Sequence, residues 1–108
     1  MSTISTHVLD TSLGKPAQGI SVELEHGGAI IGSGVTDVDG RVRDLVASGA
    51  SLDAGDYQLT FSVADYFKRM GRESFYTKVV VPFRIEDSQH YHVPLLLSPF
   101  GYSTYRGS

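Results

Sequence analysis

Ile20-Ser21-Val22-Glu23-Leu24 places three apolar side chains at alternate positions with polar ones between them. A period of two sends Ile20, Val22 and Leu24 to one face and Ser21 and Glu23 to the other. That is the pattern of a strand with one side on a core and the other in water. Gly27-Gly28 punctuates the run, and a second apolar run, 29–35, follows.

Reading outward from this pair extends the pattern in both directions. On the N-terminal side, 4–9 is a short β-rich run that stops at Asp10, and Gly14-Lys15-Pro16 reads as a turn. On the C-terminal side, Asp37-Val38-Asp39-Gly40 is a turn by its chemistry, since Asp bonds its own backbone and Gly accepts positive φ. It delivers a strand over 41–45, followed by a small-residue loop over 47–55 and another alternating run over 57–63. Residues 64–70, stopped by Gly71, read as two turns of helix, the one helix the pattern supports. The runs 75–85, 91–97 and 101–106 complete the set, with 75–85 and 95–97 expected to supply core and interface packing. About eight short strands with turn residues between them predict an all-β fold, a two-sheet β-sandwich. Pro82 and Pro94 point to edge strands or strand ends, where a missing amide donor does least harm.

Composition narrows the functional classes. A chain of 108 residues with 41% hydrophobic content supports one domain over 1–108, and a domain of this size gains stability from assembling with its own copies. Lys and Arg number 9 against 12 Asp and Glu, a net charge of −3 with no basic stripe, which argues against nucleic acid as a partner. The absence of cysteine removes disulfides and thiolate metal sites. No basic-then-apolar leader opens the sequence, and no apolar run approaches the roughly 20 residues that span a bilayer. A cytoplasmic protein without membrane attachment is the simplest expectation.

The groups that titrate near neutral pH are His7, His26, His90 and His92. His26 sits beside Gly27-Gly28 and reads as a solvated turn residue. His90 and His92 are two apart, so on a strand they share a face and invite a zinc reading; a third ligand at a recognisable spacing is missing, and an ordinary strand pair competes with it. His7 lies within the apolar run Thr6-His7-Val8-Leu9. The ending Tyr102-Ser103-Thr104-Tyr105-Arg106-Gly107-Ser108 alternates like a strand and carries aromatic and cationic groups where chains ordinarily fray, which marks it as part of a site.

The stretch His7-Val8-Leu9-Asp10-Thr11-Ser12-Leu13-Gly14-Lys15-Pro16-Ala17-Gln18-Gly19-Ile20-Ser21-Val22 closely resembles the N-terminal signature of the transthyretin family. Tyr91-His92-Val93-Pro94-Leu95-Leu96-Leu97-Ser98-Pro99-Phe100-Gly101-Tyr102-Ser103-Thr104 resembles its C-terminal signature. The resemblance covers nearly the whole chain and implies a transthyretin-like sandwich. Within the family, hydrolases of 5-hydroxyisourate in purine degradation differ from thyroid-hormone carriers at a few positions. This chain looks like the hydrolases: it has His7 and His92, Arg41 directly after the turn glycine, and the closing tetrad Tyr105-Arg106-Gly107-Ser108.

The resemblance implies a homotetramer with active sites in the channel where sandwich dimers meet, and no cofactor or metal. His7 and His92 then orient and deprotonate a water, with Ser108 in the relay. Arg41 binds the anionic or polarised substrate edge, while Tyr105, Arg106 and Gly107 shape the pocket. The division of labour between the histidines stays open, as does a share for Arg43, which lies on the strand face of Arg41. A transthyretin-like protein that binds a small planar ligand without turnover is the alternative. A structural or adhesive sandwich, which predicts neither a polar cluster nor a pocket, is a third.

Overall fold

The alternating runs pair into two sheets. The computed structural model describes residues 3–46 and 52–107. In it β1 (Thr3–Asp10), β2 (Lys15–Pro16), β5 (Arg41–Val42), β8 (His90–Ser98) and β9 (Gly101–Thr104) form one sheet. β3 (Ser21–His26), β4 (Ala29–Val35), β6 (Gly55–Phe61) and β7 (Val79–Ile85) form the other. The first runs β2-β1-β8-β9 with β5 also on β1, and the second β4-β3-β6-β7. β1 and β8 are parallel and in register from Thr3 opposite His90 to Asp10 opposite Leu97. The other pairs are antiparallel.

The core lies between the sheets, and the period-2 pattern explains which residues fill it. Ile4 and Val8 of β1 and Leu95 and Leu97 of β8 meet Val22, Leu24, Leu59 and Phe61 of the opposite sheet, all essentially without solvent exposure. Each fully buried side chain of this kind contributes roughly 1.5–3 kcal/mol. The helix α1 (Val63–Arg69) buries Val63, Tyr66 and Phe67. It ends as the sequence pattern predicts: Gly71 N–H reaches the Lys68 carbonyl and Arg72 N–H the Phe67 carbonyl, the Schellman pattern of a glycine stop. Among the described residues no helix is long and apolar enough to cross a membrane.

The all-β two-sheet sandwich is therefore the observed fold, with one short helix and nine strands among the described residues where about eight strands were expected. The additional strand is Lys15–Pro16, read as turn, which returns along Leu9 and Asp10. Three further expectations need correction. The strand over 41–45 keeps the β1 ladder only at Arg41 and Val42, after which one backbone bond remains, from Leu45 N–H to the Ile4 carbonyl at 3.0 Å. The run 75–85 becomes a strand only at Val79, where the β6 partner Phe61 begins; Phe75 is 71% exposed and contributes nothing to the core. Pro82 does lie on an edge strand, β7, but Pro94 sits inside β8, between β1 and β9. It is tolerated there because the β9 ladder ends at Leu95 opposite Thr104, leaving a gap in which the Thr104 hydroxyl donates to the Pro94 carbonyl at 2.7 Å. Part of the expected loop over 47–55 lies outside the described residues.

Candidate active site

Sheet register brings distant residues onto one surface. Ile4, Thr6, Val8 and Asp10 of β1 are fully buried, which leaves Thr3, Ser5 and His7 on the face turned away from the core. His7 stands opposite Arg41 on β5, and Ser5 opposite His92 on β8. The turn before β5 fixes Arg41: the Asp37 carboxylate accepts the amides of Asp39 at 2.9 Å and Arg41 at 3.0 Å. Gly40 holds the turn at φ +74°, and a Cβ there would lie 2.4 Å from the Val8 carbonyl oxygen, so glycine is required twice over.

His92 is held from both sides. Its Nδ1 lies 2.7 Å from Ser5 Oγ, which also lies 2.9 Å from Nε2 of His90; His90 Nδ1 is 2.5 Å from Thr3 Oγ1. The rings of His90 and His92 lie nearly parallel, 6.5 Å apart. On the other side the tail packs its backbone on His92. Gly107 N–H donates to the His92 carbonyl at 2.8 Å, and a Cβ at 107 would come within 2.6 Å of His92 Cδ2. The Arg106 guanidinium sits 5.0 Å from the centre of the Tyr91 ring and donates to Gln89 Oε1 at 3.0 Å.

The electrostatics favour a neutral imidazole. Burial pushes the His92 pKa below its ordinary value of 6.5, and the Arg41 guanidinium and the neighbouring imidazoles of His90 and His7 press in the same direction. A polar cavity of about 310 Å³ opens beside it, walled by Ser5, Thr6, Arg41, Val42, Arg43, His90 and His92. A second cavity of about 300 Å³ lies on the other side of His92, between β7 and the tail, with Phe83, Tyr91, Tyr105 and Arg106 on its wall.

Of the residues singled out from sequence, Arg41 and His92 share the first cavity; His7 stands opposite Arg41 in the sheet but is not on that cavity's wall. Arg43 reaches the same cavity, so both arginines stay in play. Tyr105 and Arg106 line the second cavity, which His92 joins to the first, and Gly107 braces His92. Ser108 lies outside the described residues. His26 stacks on Tyr57 at 4.1 Å and contacts the Asp56 carbonyl through Nδ1, away from this face. Among the described residues no three His, Asp or Glu side chains are placed to hold a metal ion. Sequence reading missed Ser5 and Thr3; the signal was their parity with His7 on β1, which gains meaning only once β8 is known to lie alongside.

The HIUase/Transthyretin family profile matches residues 4–107. The 5-hydroxyisourate hydrolase of Mesorhizobium japonicum is 43% identical over 116 residues, covering 97% of this chain and 91% of the relative. The solved structure of Klebsiella pneumoniae 5-hydroxyisourate hydrolase aligns with a TM-score of 0.92 at 45% identity, covering 100% of this chain and 94% of that one. Sea bream transthyretin in complex with thyroxine aligns with a TM-score of 0.87 at 29% identity, covering 96% and 93%. With its sandwich, its two sequence signatures and these matches along nearly its full length, the chain belongs to the HIUase/Transthyretin family.

Proposed function

We propose that this protein hydrolyses 5-hydroxyisourate to 2-oxo-4-hydroxy-4-carboxy-5-ureidoimidazoline. The observation that carries the reading is His92: a half-buried imidazole kept neutral, next to Arg41, on a polar cavity. The names and close alignment of the hydrolase relatives support it.

The substrate is a strained cyclic ureide whose ring carbonyl must be attacked by water and broken from its nitrogen. Nδ1 of His92 is engaged by Ser5, so Nε2 is the nitrogen that takes a proton from water. His7, opposite Arg41, orients that water from the other side. The guanidinium of Arg41, which makes no hydrogen bond among the described residues, stabilises charge developing on the carbonyl oxygen. Arg43 extends the positive wall. Tyr105, Arg106 and Gly107 hold the far side of His92, and Ser108 completes the relay.

His7, Arg41 and His92 are each only half-buried. We place their face in a homotetramer, where dimers meet across it and enclose the cavity, which ties activity to assembly. The whole chain acts as one cytoplasmic domain without cofactor or metal.

The test is the ultraviolet decay of 5-hydroxyisourate, generated in place from urate by urate oxidase. Wild type is expected to accelerate it, and His92→Ala, His7→Ala and Arg41→Ala to lose about a hundredfold or more in kcat while staying folded and assembled. Decay at the spontaneous rate with an intact tetramer overturns the hydrolase reading in favour of a ligand carrier.

A further inference from the structure

Behind the proposed base runs a string of hydrogen-bonding groups that the hydrolysis as described does not use. Thr3 Oγ1, both nitrogens of His90, Ser5 Oγ and Nδ1 of His92 follow one another at 2.5, 2.9 and 2.7 Å. Ser5 is 8% exposed and has two imidazole nitrogens as its only side-chain partners among the described residues, whereas His90 is open to solvent. A single hydroxyl proton cannot serve both histidines, so the string has a direction. We infer that Ser5 and His90 are positioning residues that hold His92 with its proton on Nδ1 and its Nε2 bare, and that His90 takes up the proton His92 gains. This inference rests on His92 as the base of the hydrolysis proposed above.

The proton count closes. In the resting state His92 Nδ1–H donates to Ser5 Oγ, the Ser5 hydroxyl donates to His90 Nε2, and His90 Nδ1–H donates to Thr3. When Nε2 of His92 takes a proton from water, its Nδ1 proton passes to Ser5 Oγ and the Ser5 proton to His90 Nε2. The positive charge then rests on exposed His90 rather than on half-buried His92. The hydroxide bonds the ring carbonyl carbon and the carbon–nitrogen bond breaks. The string then runs back: His90 Nε2 returns its proton to Ser5, Ser5 reprotonates Nδ1, and Nε2–H is delivered to the leaving nitrogen. Nothing but water is consumed. Both rings line the cavity that Arg41 and Arg43 face from β5 and the segment after it, so storing the charge on His90 gains from its exposure to water, whereas His92 is half-buried, feels Arg41 and His7, and lines the second cavity with Arg106.

The test reads the tautomer of His92 by nitrogen-15 NMR together with kcat, in wild type, Ser5→Ala, Ser5→Thr and His90→Gln. Wild type is expected to show neutral His92 protonated on Nδ1. Ser5→Ala should shift the proton to Nε2 and lower kcat by about tenfold or more with KM little changed, and Ser5→Thr should restore both. His90→Gln, at an exposed position that leaves folding intact, should keep the tautomer but lower kcat, because glutamine accepts the Ser5 proton's hydrogen bond and cannot store the charge. His92 protonated on Nε2 in wild type, or full kcat in both Ser5→Ala and His90→Gln, overturns the inference. The tautomer is read without turnover. A protein that does not hydrolyse the substrate, yet loses Nδ1 protonation in Ser5→Ala, would sink the hydrolase reading and support the string.

Discussion

At the scale of single residues, the proposed hydrolysis turns on His92 and the groups that touch it. Its pKa lies below 6.5, so the imidazole is neutral at pH 7 and the base form is already present. The sign follows: kcat/KM should level off toward alkaline pH and fall on acidification with a midpoint under 6.5, because protonating Nε2 removes the acceptor. A midpoint above pH 6.5 in the wild type would contradict this. Gly107 yields a second prediction. A methyl at 107 has its Cβ 2.6 Å from His92 Cδ2, so the ring or the tail must move. Gly107→Ala is expected to lower kcat roughly tenfold to a hundredfold while leaving the urea midpoint almost unchanged, since Tyr105 and Arg106 before it are exposed and the tail contributes little to the core. Much of this proposed site was legible in the chain. His7, Arg41, His92 and the tetrad carry a recognisable pattern, and Asp37 with Gly40 spells out the turn that delivers Arg41. Ser5 and Thr3 were not legible, because a serine on a strand acquires its partner only through a parallel pairing with residues near the other end of the sequence.

At the scale of elements, the decisive piece is the parallel pair β1 and β8, flanked by the short β9 and the tail. Period-2 alternation announced most strands, as Val22, Leu24, Leu59 and Phe61 show by being fully buried. What alternation cannot report is how far a neighbour extends. Residues 75–78 carry strand-like composition but have no β6 residue opposite them, and 43–45 leave the β1 ladder with a single backbone bond remaining, Leu45 N–H to the Ile4 carbonyl. Pro94 sits inside a central strand only because β9 is too short to need its amide. The shortness of β9 also leaves 105–107 held by little: one bridge from Gly107 to His92, and Arg106 on Tyr91 and Gln89. Deleting 106–108 is therefore expected to leave the sandwich folded, with unchanged far-ultraviolet circular dichroism, and to cut kcat by about a hundredfold as His92 loses its brace. Full activity in the truncated protein would show that the tail does not position His92.

At the scale of the molecule, the two sheets are joined on the side away from the site by a buried ionic cluster. Asp10, at the end of β1, is fully buried; its carboxylate accepts the Tyr66 hydroxyl from α1 at 2.8 Å and the Arg72 guanidinium at 2.7 Å. Ser12 bonds it through both hydroxyl and amide, and Arg72 in turn bonds the Ser12 hydroxyl and lies over Phe67. Because α1 follows β6, this cluster ties the helix after one sheet to the end of the inner strand β1 of the other. Burial by itself would raise the Asp10 pKa, but the hydrogen bonds from Arg72, Ser12 and Tyr66 and the charge of Arg72 outweigh it and bring it down to about 2, while burial and the neighbouring carboxylate push the Tyr66 phenol up to about 12. A folded pKa below the ordinary 3.8 means that the unfolded chain binds its proton first as pH falls. The stabilisation, about 2 kcal/mol, is thus complete above pH 3.8 and disappears as pH drops through about 2. Asp10→Asn isolates this charge, since every other titrating group is common to both proteins. Its urea-unfolding free energy should lie below that of wild type at pH 7, and the gap should narrow steadily from about pH 4 toward pH 2. Asp10→Ala, which also strips the hydrogen bonds and leaves Arg72 without its partner, should cost about 3 kcal/mol at neutral pH. A gap between Asp10→Asn and wild type that stays constant across that acid range would mean the carboxylate charge contributes nothing, and that hydrogen bonding alone joins the helix to the sheet.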